Sequence, residues 1–145
     1  MDRHLILCAC IATAAMASQA ARAELPPLSP EQLRAQSSDI IEGKVIAVYS
    51  YDQPGTPEQT RRGAWVDTRS VAEILVTKVE KGKSFQPGQV GYVRFWRAKE
   101  RPRGWAGPSG NHPPRVGGDF RVFASRGKDA GCDVLVPNGF EELKK

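Results

Sequence analysis

The chain predicts an all-β domain: a small, partly open barrel of five strands with one short helix on its N-terminal side. Three observations lead there. From Asp39 onward, apolar residues recur at every second position in several segments, and Gly- and Pro-rich turns separate those segments. Helix start signals are read near residue 30 and at the C-terminal end. Beyond residue 23 there is a single cysteine, Cys132, so no disulfide can staple this part of the chain and sheet burial must hold it together.

The first 23 residues stand apart from that fold. Asp2, Arg3 and His4 form a short polar start, and Leu5 to Ala17 is an apolar stretch too short to span a bilayer comfortably. Ala21-Arg22-Ala23 is then an A-x-A site. This is the layout of a secretory signal peptide, with cleavage expected after Ala23 and a periplasmic or secreted location for the remainder. A buried N-terminal helix is the plainer alternative. Leu7-Cys8-Ala9-Cys10 resembles a lipobox, but the apolar run continues for seven residues beyond Cys10, which favours ordinary cleavage over a lipoprotein. Cleavage would take Arg3 and Arg22 from the 21 basic residues and Asp2 from the 16 acidic ones. That leaves 19 against 15, a net charge of +4 over 122 of the 145 residues. The remainder has the length of one domain with a modest core, and it holds one histidine, His112, and no methionine. No later segment is long and apolar enough to cross a membrane as a helix.

Residues 24–38 read as a leader and short helix, and 39–145 as the barrel. "ELPPL" is extended. In "SPEQLRAQS", Ser29 is the N-cap, Pro30 the first helical residue and Gln32 the third, a capping box that predicts a helix over 30–36. "DIIEGKVIAVYSY" alternates, with Ile41, Val45, Ala47 and Tyr49 on one face and Gly43 marking a bend or bulge. Residues 52–63 have loop composition. "AWVDTRSVAEILVTKVEKG" is a second long strand. Val71, Leu75 and Val79 lie on one face and Ala72, Ile74 and Val76 on the other, as for a strand covered on both sides. After the turn "KGKSFQPG", the third strand "QVGYVRFWRA" opposes Val93 and Phe95 to Tyr92, Arg94 and Trp96. "DFRVFAS" and "CDVLVPN" form a hairpin across "RGKDAG". "NGFEELKK" predicts one helical turn, capped by Asn138 with Glu141 at the third position. Five strands with a long, bent first strand fit an OB-like barrel, whose closure removes exposed edges. A seven-stranded sandwich would need more strand segments than the chain offers.

"SDIIEGKVIAV", "VEKGKSFQPGQVGYVRF" and "VGGDFRVFAS" together resemble the strand sequence of OB-fold-like domains in exported bacterial proteins of unknown function. In outline they are similar to the netrin or metalloprotease-inhibitor module. The resemblance spans residues 39–136 and implies the five-stranded barrel. The inhibitor family grips a protease zinc with a free N-terminal cysteine and ties its fold with disulfides. Here the expected mature terminus is Glu24 and no disulfide can form within the mature chain, so the resemblance implies the fold and not the inhibition.

His112 and Cys132 are the only strong soft ligands beyond residue 23, too few for copper, zinc or an iron–sulfur cluster. There is no Asp-rich calcium loop and no C-x-x-C-H haem attachment, so no cofactor is expected. The sharpest catalytic reading is a thiol enzyme: Cys132 as nucleophile, His112 as base, Asp133 or Asp129 as orienter. It needs a lowered thiol pKa. Arg126 and Lys128 are near in sequence, but no helix N-terminus is expected there. The plain reading is that Cys132 opens the last strand and fills a small site beside the hairpin turn. A Cys132-linked dimer is the third. Phosphate loops, G-x-S-x-G and HExxH are absent, and the neighbouring Glu141 and Glu142 point apart. No enzyme is expected.

The run "RFWRAKERPRGWAGPSGNHPP", residues 94–114, remains. Arg94, Trp96, Arg97, Arg101, Arg103 and Trp105 are the candidate binding residues. Such arginine and aromatic groups stack on rings and pair with anions. Export argues against nucleic acid and favours an anionic polysaccharide, a lipid head group or an envelope protein as partner. The competing reading is a solvated connection fixed by its prolines, with Trp105 folded back over the barrel end. The function expected is a non-catalytic binding module. A structural accessory subunit of an envelope complex and the thiol enzyme are the alternatives.

Overall fold

The computed structural model describes residues 25–144. The expected signal peptide, its cleavage site after Ala23 and the lipobox-like Cys10 lie outside the described residues. Helix α1 (Pro30–Gln36) begins where its capping box sets it. The Ser29 hydroxyl accepts from the Gln32 amide at 3.2 Å, and the Gln32 side chain accepts from the Ser29 amide at 2.8 Å. Ser37 ends it, donating to the Leu33 carbonyl from both its amide and its hydroxyl. Leu33, the one buried residue of α1, packs with Ile40 and Phe123 in a small satellite core. The helix therefore lies against the barrel without building it.

Strands β1 (Asp39–Pro54), β2 (Val66–Lys81), β3 (Val90–Glu100), β4 (Asp119–Arg126) and β5 (Cys132–Val134) form the expected barrel. The ring runs β1-β2-β3-β5-β4 and back to β1. Its ladders are antiparallel except β3–β5, which is parallel and meets at one register pair, Arg94↔Asp133. Inside lie Ile41, Val45, Ile74, Val76, Val93 and Val122, each at most 1 % exposed. Phe95 joins them at 5 % and meets Phe140 edge to face, with ring centroids 5.2 Å apart. Gly43 is where β1 bends. A Cβ there would stand 2.5 Å from the Leu75 carbonyl oxygen, so a larger residue would push β1 off β2.

Four expectations are corrected. Tyr49 is 58 % exposed and not on the face of Ile41 and Val45. The register shift between Val45 and Ala47 leaves Ile46 as an extra residue of β1 and inverts the alternation, so Val48 packs against the core instead. The expected loop 52–63 is shorter, because β1 continues to Pro54 and a second capping box, Thr56 with Gln59, starts α2 (Pro57–Thr60). β2 is not covered on both sides along its length: Ala72, Ile74 and Val76 are buried and Leu75 is 39 % exposed, while Val79 packs against the core. The C-terminal segment is a strand, β6 (Phe140–Glu142), paired with β4. The Asn138 side chain is not a cap there; it makes two hydrogen bonds to the Leu28 backbone, each 2.9 Å long.

On the outside of the closure, Arg121 of β4 donates to Glu42 at 2.6 Å, Glu80 at 2.9 Å and Glu141 at 3.0 Å. Arg34 of α1 donates to Glu80 at 3.1 Å. One guanidinium thus ties β1, β2 and β6 to β4, and Glu80 links α1 to the same knot. Burial pushes the Glu80 carboxyl up, but the hydrogen bonds to its charged form outweigh it and hold its pKa at about 2, against an ordinary 4.5. A carboxylate depressed on folding stabilises fully above its unfolded pKa and loses that contribution as pH falls through the folded one. The denaturant midpoint is therefore expected to fall between pH 4.5 and 2, and to fall less steeply in Glu80→Gln; parallel curves for the two proteins would overturn this. Phe95→Ala is expected to cost ~3–5 kcal/mol in urea unfolding. A loss below about 1 kcal/mol would mean the ring is not held in the interior.

Candidate functional site

The basic run does not float. Its far part returns along the end of β3. The Ala98 amide donates to the Ser109 carbonyl at 2.9 Å, the Asn111 amide to the Trp96 carbonyl at 2.8 Å, and Arg97 bridges Gly110. Gly110 has φ +84°, and a Cβ there would stand 2.9 Å from the Arg97 Cα, so glycine is required at this crossing. Asn111 is 1 % exposed and donates to the Leu135 carbonyl at 2.8 Å, fastening the run to the segment after β5. Residues 101–108 are left as a short arch, turned by the Trp105 amide donating to the Pro102 carbonyl.

Under that arch the six candidate residues meet different fates. The Arg101 side chain is 12 % exposed. It lies over the Trp65 ring at 4.2 Å, pairs with Asp67 and donates to the Val66 carbonyl at 3.0 Å. Arg94 forks onto two carboxylates, Asp129 at 2.5 and 3.0 Å and Asp133 at 2.7 and 2.8 Å. Those bonds raise the Arg94 pKa, and Arg94 in turn holds Asp129 at about 2. Arg94 is thus the clasp between β3 and the β4–β5 turn. Trp96 is half-buried on the outer face of β3, with Arg69 over its ring at 6.0 Å. Arg97 projects to the opposite face and is exposed. Trp105 is 44 % exposed and meets Trp65 edge to face, ring centroids 4.5 Å apart. Arg103 is exposed beside it.

The arch and the β1–β2 connection enclose a cleft of about 660 Å³, lined by Arg62, Trp65, Arg103 and Trp105, with Glu58 and Gln59 of α2 on its rim. Among the described residues, no carboxylate pairs with Arg62, Arg97 or Arg103. The cleft therefore gathers Arg103 and Trp105 of the candidate set. Arg101 stacks on Trp65 without lining the cleft, while Arg94, Trp96 and Arg97 lie elsewhere. Sequence reading missed Arg62 and Trp65, which sit at the far end of the β1–β2 connection. It also missed the exposed tyrosines of the outer sheet face, Tyr49, Tyr51 and Tyr92, although alternation did turn Tyr92 away from Val93.

Cys132 is 6 % exposed and belongs to the main core cluster. Burial pushes its thiol pKa up. The Ser84 side chain lowers it, and the charges it feels are those of Asp39, Arg126 and Asp133. His112 is exposed in the returning segment and is not among them. Asp133 and Asp129, the proposed orienters, are both held by Arg94. The nucleophile, base and orienter of the thiol reading are not brought together. Among the described residues, no group of three His, Cys, Asp or Glu side chains gathers as a metal site, and no helix is long and apolar enough to cross a membrane.

No family model, curated protein or solved structure matches this chain.

The different burial of the two arch arginines sets an expectation for stability. Arg101→Ala strands a largely buried Asp67 and is expected to cost about 3 kcal/mol. Arg103→Ala should change stability by less than about 0.5 kcal/mol. Urea unfolding of the two variants checks this, and equal losses would overturn the assignment of Arg101 to the scaffold.

Proposed function

We propose that this chain is an exported, non-catalytic binding module whose tryptophan–arginine cleft takes an anionic polysaccharide. One observation carries the reading. The fold commits Arg94, Arg101 and Arg121 to carboxylates of its own, yet places Arg62 and Arg103 beside two tryptophans in a concavity with no ion-pair partner among the described residues. A guanidinium offers paired donors to a carboxylate or sulfate, and an indole offers an apolar face to the C–H side of a sugar ring. A cleft of this size suits a ligand of ring units better than the broad, flat contact of a protein partner. Nucleic acid would meet similar chemistry, and the expected export is what sets it aside. The net charge of +4 expected after cleavage acts in the same direction, by attracting polyanions at long range.

Retention on immobilised heparin tests the cleft. Arg62→Glu with Arg103→Glu is expected to elute at lower salt than the parent, with an unchanged thermal midpoint. Arg97→Glu with Lys83→Glu, an equal loss of charge outside the cleft, should shift elution less. The proposal fails if the cleft variant elutes with the parent, or if the variant outside the cleft shifts as far.

A further inference from the structure

We infer that the site is a track for a linear polysaccharide of several sugar units, and not a pocket for one charged group. This rests on the cleft being the ligand site as proposed above. The cleft does not end at Trp65. Trp65 and Trp105 also wall a second depression of about 500 Å³, whose other side is Arg69 and Trp96. Arg69 and Trp96 in turn wall a third, of about 530 Å³, which continues over the outer sheet to Tyr51, Arg94 and Val136. Each depression has the volume of a small-ligand pocket. Their shared walls make them consecutive stations of one surface path.

The rings are spaced along this path by the sheet itself. Tyr51, Arg69 and Trp96 occupy one register row across β1, β2 and β3. Two inter-strand spacings put the Tyr51 and Trp96 backbones roughly 10 Å apart, a span greater than one sugar ring. Tyr51 is 63 % exposed, with its ring available for contact.

Charge changes along the path. At the arch, Arg62 and Arg103 exceed the single carboxylate of Glu58. In the middle, Arg101 is matched by Asp67. At the far end, Arg94 is covered by Asp129 and Asp133, and Arg69 is bonded to Gln53 at 3.0 Å with Asp67 at 3.8 Å. A ligand filling the track is held by ion pairing at the arch and by ring contact beyond it. The two halves therefore differ in their response to salt, because only ion pairing releases counterions from the polymer.

Calorimetric titration of the full chain with heparin-derived fragments, from disaccharide to decasaccharide, tests the track. Affinity is expected to rise with length until the path is filled. Tyr51→Ala and Trp96→Ala should weaken the longest fragment by roughly fivefold, the scale of one lost ring contact. They should leave disaccharide affinity and the salt slope unchanged, whereas Arg103→Ala should reduce the slope. Tyr51 is exposed enough for its substitution to leave the fold intact, so the test survives if Trp96→Ala unfolds. Equal affinity for the shortest and longest fragments, or parent-like binding by both ring variants, overturns the track while leaving the cleft standing. Failure of every fragment to bind overturns both.

Discussion

Strand β1 is paired along both edges at once over residues 40–44, to β2 on one side and β4 on the other, and the rest of the structure depends on that double pairing. A five-stranded sheet left flat would expose one face of Ile41, Val45, Ile74 and Val122 to water; curled until its ends meet, it buries each to at most 1 %. The curl needs a tight place to bend, and Gly43 supplies it by having no Cβ to strike the Leu75 carbonyl. Past Lys44, β1 leaves β4 and continues with β2 alone to Pro54. The closure that makes the core thereby also makes the protruding β1–β2 arm from which Trp65 and Arg62 are hung.

Guanidinium groups do much of the fastening that disulfides do in many small domains. Arg121 joins three acidic residues from three strands, and Arg94 draws the β4–β5 turn onto β3 where the ring has only one register pair. Arg101 anchors the arch by inserting between Trp65 and Asp67. Bidentate and multiply bonded arginines hold geometry well because the planar fork fixes direction as well as distance. Their use in the scaffold sharpens the meaning of those outside it. Arg62 and Arg103 stand out because they line the cleft beside Trp65 and Trp105 while Arg94 and Arg101 are already engaged.

Among the described residues, the one thiol points inward. Cys132 sits among core side chains, and the net effect of its surroundings is to disfavour the thiolate. His112 is exposed elsewhere, and both nearby aspartates are held by Arg94. Surface chemistry is concentrated instead on the arch and the outer sheet, where aromatic rings are exposed on a rigid frame.

Local rules determined much of the fold. The Ser29 capping box placed α1 to the residue, and period-two alternation placed β3 with Val93 and Phe95 inward. These features depend on neighbours within a few positions, so they can be read from the sequence alone. Alternation failed where a bulge interrupted it: the extra residue Ile46 between Val45 and Ala47 turned Tyr49 outward, and only pairing with β2 decides where such a bulge falls. The C-terminal segment followed the same logic, since Phe140–Glu142 had a helical cap signal but gained more by adding to β4. For the site, the sequence supplied the residue types of the basic run. It could not sort them, because whether an arginine fastens the scaffold or faces a ligand depends on carboxylates about 35 positions away, brought near only by folding.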